Sequence, residues 1–435
     1  MSTPTNLPIL ALQPTFPEVV ADVLNGVVAD ESFWLSCYTE APTGLHAKVR
    51  VSLDETDRSL VRLDANEGFQ VKGTKYRYSV SSAKQGIPET PILVPTHQFA
   101  DPHRANPQHA CRTSVSVPSA DESLQPHRIT AFDVAPDGTQ FATGFLDGSV
   151  HIYGVHKSTT TSLEFFPSSR VLLSAGADFT LCILPADPAP PSSALAPVRT
   201  MTGHARTITK TAIVSRGRNV VSASLDGTIR LWDVSSGAQI HMLTPGGGRL
   251  SPITSISLGE RAGTALPSSS PHAAMTDPRE VDTASKLLFC ALQTKTFEAI
   301  DLGSRETVFT SPAAASALTS IAYAPTENLL ATGSSKGIVD VYDTRSLDTK
   351  LASFTRGSSQ AGIADLSWAA AKHLLIGTDD GLPYIGCISG ESLGVRVAGE
   401  LVGADTDAVR VLRSVGGNVW TAADDGVVRR YALAA

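Results

Sequence analysis

Little in this chain invites a catalytic or membrane reading. Its 435 residues hold five cysteines, at least 71 positions apart, so no C-x-x-C pair exists to form a zinc ribbon or a redox couple. They read as free thiols in a reducing compartment. Aromatic residues make up only 6% and charged residues 18%. The formal net charge of −7 speaks against a general nucleic-acid binder and against a basic membrane-surface protein. No apolar run approaches the ~18 residues of a membrane span. The opening MSTPTNLPIL lacks the basic and apolar regions of a secretory signal. The expectation is a soluble protein of cytoplasm and nucleus, without membrane or nucleic-acid partner.

What the chain does have is 34 glycines and 27 prolines, which suit many short strands joined by tight turns. One stretch supplies a ruler. In 203–233, GHARTITKTAIVSRGRNVVSASLDGTIRLWD, the Gly203-His204 pair opens, Asp226-Gly227 marks a turn, and Trp232-Asp233 closes. β-branched runs lie between them, as in strands. Six relatives follow at turn positions 147, 178, about 294, 336, 380 and 425. Most gaps run from 41 to 48 residues, the period of a four-stranded propeller blade. The expected fold is all-β: a seven-bladed WD40-type β-propeller preceded by a small β-rich N-terminal domain.

The expected boundaries are 1–90 for the small domain, 91–108 for a linker and 109–435 for the propeller. The chain stops soon after the third strand of the last unit, so a fourth must come from elsewhere to cover that edge. Residues 109–118, HACRTSVSVP, are the expected donor. The Pro/Ser-rich insertion 261–284 reads as a disordered loop.

His204, Ser222, Asp226 and Trp232 read as a structural tetrad, a hydrogen-bonded chain from turn to outer strand. They are not a catalytic triad. The G-x-S-x-G match at 390–394 sits between strand-like runs, without the helix a serine hydrolase needs. His97, His103 and His109 recur across prolines with no helix to align them as metal ligands. No enzyme, metal or cofactor is expected. Binding concentrates instead in loops on the face bearing the Asp-Gly turns. Residues expected there are Asp379 and Asp424, with Leu146 and Leu225 beside them, and Arg128, Arg206, Asp405 and Asp407 on the same rim.

The stretch RTITKTAIVSRGRNV inside 203–233, together with FWLSC and G-x-H-x-x-V over 33–49, resembles the proteasomal ATPase-associated factor family. These are WD40 assembly chaperones of the proteasome regulatory particle. The resemblance implies a non-enzymatic chaperone, a monomer when free, whose top face binds the C-terminal domain of a regulatory-particle ATPase subunit. It carries Asp379 and Asp424 over as contact residues, and the rim basics less directly. The competing reading is a substrate receptor of a cullin-type ubiquitin ligase, from Tyr342-Asp343-Thr344-Arg345, an approximation to W-D-x-R.

Overall fold

The computed structural model describes residues 4–39, 44–100, 128–150, 153–154, 156–186, 197–261, 277–357, 361–369, 372–388 and 394–433. Nearly all regular structure is β, with one helix, Phe16–Leu24, among these residues. The repeats fold as antiparallel four-strand ladders. They are numbered here as blades one to seven by their first, inner strands: Ile129–Val134, Thr160–Phe165, Ile208–Val214, Ile253–Glu260, Leu318–Ala324, Ile363–Ala369 and Val409–Val415. Each inner strand touches the next, and Val409–Val415 returns against Ile129–Val134, so the ladders close into a ring. This is a β-propeller.

Each seam between blades holds its own apolar cluster. Phe166, Leu173 and Ile183 of blade two, for instance, meet Ile208, Val220 and Trp232 of blade three. Strands so covered are buried on both faces and lose the one-sided alternation of a surface sheet. Asn219–Ser224 is buried at every position.

A second device ties blade to blade. Every inner strand bulges at its second residue. In blades one to five that residue is threonine. The Thr130 hydroxyl lies 3.2 Å from the Gly144 carbonyl in its own blade and 2.6 Å from the Thr160 carbonyl of the next. Thr161, Thr209 and Thr319 repeat this double contact. Bulges re-aim side chains, and here they aim a hydroxyl across the seam. Blades six and seven carry Ala364 and Arg410 at this position.

The inner strands also hold charge. Arg413 of blade seven pairs with Asp133 of blade one at 2.9 Å and with Asp365 of blade six at 3.1 Å. Lys210 of blade three reaches the same Asp365 at 3.4 Å. That contact runs from one side of the ring to the other, so side chains cross the axis.

The N-terminal module has its own core. Phe16, Val19, Val20 and Val23 of the helix pack on Phe33, Leu35, Ala47 and Val49 of a four-stranded sheet. Thr5–Leu7 adds a parallel strand to the edge of blade five, and Ile87–Leu93 adds one to the edge of blade six. The buried pair Arg356–Glu400 sits between these attachments. Arg356 Nε donates to the Pro8 carbonyl at 3.2 Å, and Glu400 Oε1 accepts from the Leu10 amide at 3.4 Å.

Two expectations need correction. The strand beside Val427–Ala432 that completes blade seven is His97–Ala100, from the stretch read as linker. Residues 109–118 lie outside the described residues. Phe99 secures the choice by stacking on Trp420 at 6.0 Å and leaning on Phe141 at 5.2 Å. The module at 1–90 is β-rich, as expected, and also holds the helix Phe16–Leu24. The end of the 261–284 insertion is pinned: Asn219 donates to the Arg279 carbonyl at 3.1 Å and accepts from the Val281 amide at 2.7 Å. Residues 262–276 lie outside the description.

Candidate interaction face

Blade three shows how the sequence fixes the turn-bearing face. His204 Nδ1 is 2.9 Å from Asp226, and its Nε2 is 2.7 Å from the Ser222 hydroxyl. The Trp232 indole N–H donates to that hydroxyl at 2.9 Å. Burial opposes charge on Asp226, yet hydrogen bonds from Thr228, the Ala205 amide and His204 outweigh it and hold the carboxyl down at about 2. Burial pushes the His204 ring below its ordinary value, so the ring works as a neutral bridge. His204, Ser222 and Trp232 of this chain are buried.

Blade two repeats the arrangement with a histidine that sequence reasoning missed. His156 contacts Asp178 at 3.0 Å and the Ser174 hydroxyl at 2.7 Å. The signal was present. His156 precedes Ser174 and Asp178 by 18 and 22 residues, the intervals from His204 to Ser222 and Asp226. The preceding residue is valine, so a search for Gly-His passes over it.

Blade seven solves the same problem differently. Gly403 stands 22 residues before Asp425, where the histidine belongs. The Arg429 guanidinium passes close by Gly403, with its Nε 3.2 Å from where a Cβ would sit, and pairs with Asp425. The Tyr431 hydroxyl donates to the Val402 carbonyl at 2.9 Å.

The expected contact residues lie on this face, in two groups. Around blades six and seven the structure brings together Asp379, Asp405, Asp407 and Asp424. Asp379 and Asp424 are not open acids: Arg410, at the position of the missing threonine, donates to Asp379 at 2.9 Å and to Asp424 at 3.0 and 2.8 Å. Asp405 and Asp407 are exposed and form no ion pair among the described residues. Their loop is pressed onto the Asp380–Gly381 turn. A Cβ on Gly381 would stand 2.5 Å from the Asp405 carbonyl oxygen, and its φ of +76° suits glycine. Desolvation, then the charges of Asp425, Asp424 and Asp405, raise the Asp407 carboxyl above its ordinary value. Arg206 sits at blade three, and Arg128 at blade one, which adjoins blade seven in the closed ring; both are exposed.

Arg345 is closed onto Asp343 by bonds of 2.6 to 3.1 Å within its own turn. Of the G-x-S-x-G stretch, 390–393 lie outside the described residues, as do His103 and His109. Among the described residues no three His, Cys, Asp or Glu side chains are grouped to hold a metal, and no helix is long and apolar enough to cross a membrane.

Comparison with known proteins supports the repeat reading. Residues 121–154 and 195–233 match the family model described as WD domain, G-beta repeat. No match is found among the curated proteins.

Proposed function

From the premise that this is a chain of WD40 repeats folded as a β-propeller, a protein-interaction scaffold, we propose that it is a non-catalytic assembly chaperone of the proteasome regulatory particle. In this reading the turn-bearing face takes the C-terminal domain of one ATPase subunit, in cytoplasm and nucleus. The resemblance of 203–233 to the proteasomal ATPase-associated factors supports the identity of the partner. One structural observation carries the mode of binding. On the face of blades six and seven, Asp405 and Asp407 are exposed and form no ion pair among the described residues, and they stand beside Asp379 and Asp424, which share Arg410.

Such a surface repels itself: desolvation first, and then the charges of Asp425, Asp424 and Asp405, raise the Asp407 carboxyl. A basic partner relieves that repulsion, steers encounter and fixes orientation. Because Arg410 already neutralises part of Asp379 and Asp424, the open attraction falls to Asp405 and Asp407. The axis, crossed by Lys210–Asp365, offers no thread-through route, so recognition stays on the face.

The test is binding of the full chain to the C-terminal domain of each regulatory-particle ATPase, by calorimetry at low and moderate salt. One domain is expected to bind, and Asp405→Lys with Asp407→Lys is expected to weaken it about ten-fold or more while Tm holds. Binding that ignores the double substitution overturns the assigned surface. Absence of binding to every ATPase domain, with a cullin adaptor recovered instead, favours the ligase-receptor alternative. That alternative has less support, because Arg345 and Asp343 already satisfy each other.

A further inference from the structure

The N-terminal module does more than cap the ring. Its last three strands, Ile87–Leu93, Arg77–Ser82 and Gln70–Thr74, extend blade six into one seven-stranded sheet, with Gln70–Thr74 at the outer end. Alternation divides the two faces of this extension. Val71, Tyr78, Val80 and Ile92 point into the core of the module. Lys72, Arg77 and Ser79 therefore face the other way. Over them lies an open groove of about 360 Å³, lined by Glu89 and Pro91 as well.

Charge on this hairpin departs from that of the whole chain. Residues 68–88 hold Lys72, Lys75, Arg77 and Lys84 and no acid, in a protein of net charge −7. None of the four forms an ion pair among the described residues. Lys75 sits in the turn between Gln70–Thr74 and Arg77–Ser82, its ammonium 5.2 Å from the ring centre of the exposed Tyr76. Lys84 is at the far turn, beside Gly68. The acid that lines the groove, Glu89, accepts from the Ser79 hydroxyl at 2.8 Å and lies on the side away from Arg77.

Spacing selects the ligand. Lys72 pairs with Ser79 in the ladder and Arg77 stands two positions from Ser79, so the two cations are diagonal neighbours. Such neighbours lie roughly 7–8 Å apart. Alternate side chains of an extended peptide share one face at about 6.6 Å. We propose that this groove binds an extended acidic segment of a partner protein, with carboxylates at two alternate positions pairing to Lys72 and Arg77. The Arg77 guanidinium offers its carboxylate two parallel hydrogen bonds. Lys75 lengthens the cationic track toward the turn, and Glu89 rejects a further acid at the opposite end. A long polyanion such as nucleic acid fits less well, because Glu89 and the net negative charge of the chain oppose it. The groove is apart from the turn-bearing face and does not depend on the ATPase reading.

The test uses a fluorescent peptide of alternating Glu and Ser, its Gln-for-Glu counterpart and oligo-dT, each titrated against the full chain by anisotropy. The acidic peptide is expected to bind at least about ten-fold tighter than the neutral one. Lys72→Gln with Arg77→Gln is expected to weaken it about ten-fold, and Lys72→Glu with Arg77→Glu to abolish it. Tm is expected to hold in both, since these side chains are exposed. Arg128→Glu, a charge reversal elsewhere on the molecule, is expected to leave the affinity unchanged. Equal binding of the two peptides, or an affinity that Lys72→Gln with Arg77→Gln leaves unchanged, overturns the proposal. A loss on Arg128→Glu as large as on the groove substitutions reduces the effect to general charge and overturns it too. Oligo-dT binding that matches the acidic peptide and falls with the same substitutions assigns the groove to nucleic acid and overturns it equally.

Discussion

At the scale of single residues, the chain from Asp226 through His204 and Ser222 to Trp232 works because each polar atom finds a partner inside the blade. Ser222 is the shared link, wholly buried, with His204 on one side and the Trp232 indole on the other. Ser222→Ala strands both, and unfolding in denaturant is expected to show a loss of about 2–4 kcal/mol. The residues of this tetrad were legible in the sequence because spacing and residue type agree. His156 was equally legible by spacing and hidden only by the valine before it. Arg429 was not legible at all: a residue four positions past the turn Asp compensates for a histidine absent 22 positions before it. Only the folded strand brings those two places together.

At the scale of elements, the edges of blades five and six decide how the N-terminal module belongs to the ring. Thr5–Leu7 and Ile87–Leu93 cover those edges, and the Arg356–Glu400 pair lies beneath them, both residues less than a tenth exposed. Arg356 also stacks over Tyr384, 4.4 Å from the ring centre. Breaking a buried pair on one side leaves the other charge buried without its counter-ion. Glu400→Ala is therefore expected to cost about 3–5 kcal/mol in chemical denaturation, with limited proteolysis opening the segment before residue 12 first. The strands of the module could be read from their alternation, as in Asp30–Tyr38. The helix Phe16–Leu24 could not, because nine residues rich in valine and opening on Pro17 give a weak helical signal. The closing strand was misplaced for a related reason. TSVSVP has more strand character than HQFA, but Phe99 fits the seam at Trp420 and Phe141.

At the scale of the whole molecule, closure of the ring gathers charges that no single repeat displays. Burial, with the charge of Asp133, pushes Glu164 from an ordinary 4.5 up to about 8. In the unfolded chain this carboxyl loses its proton near 4.5, whereas the folded protein keeps it until about 8. The native state therefore binds the extra proton, and its stability falls as pH rises across that window. Glu164→Gln removes the dependence. Its Tm is expected to match wild type near pH 5 and exceed it near pH 8, by an amount equivalent to about 1–3 kcal/mol. Scanning calorimetry at several pH values checks this. Periodicity in the sequence reveals the ring, but a network joining blades one, two, three, six and seven has no local signature.

The strands that finish blade seven and cap blades five and six lie before residue 101, and their partners lie after residue 345. During synthesis the early strands emerge first and must wait. Between Ala100 and Val427 the ribosome adds more than three hundred residues, roughly 15–65 s at about 5–20 residues per second. For that interval His97–Ala100 is without its ring partner, while Thr5–Leu7 waits for residues 354–356 and Ile87–Leu93 for residues 400–401. The propeller is thus locked by strands made well before their partners, and the time before locking is when a nascent-chain chaperone has the most to protect.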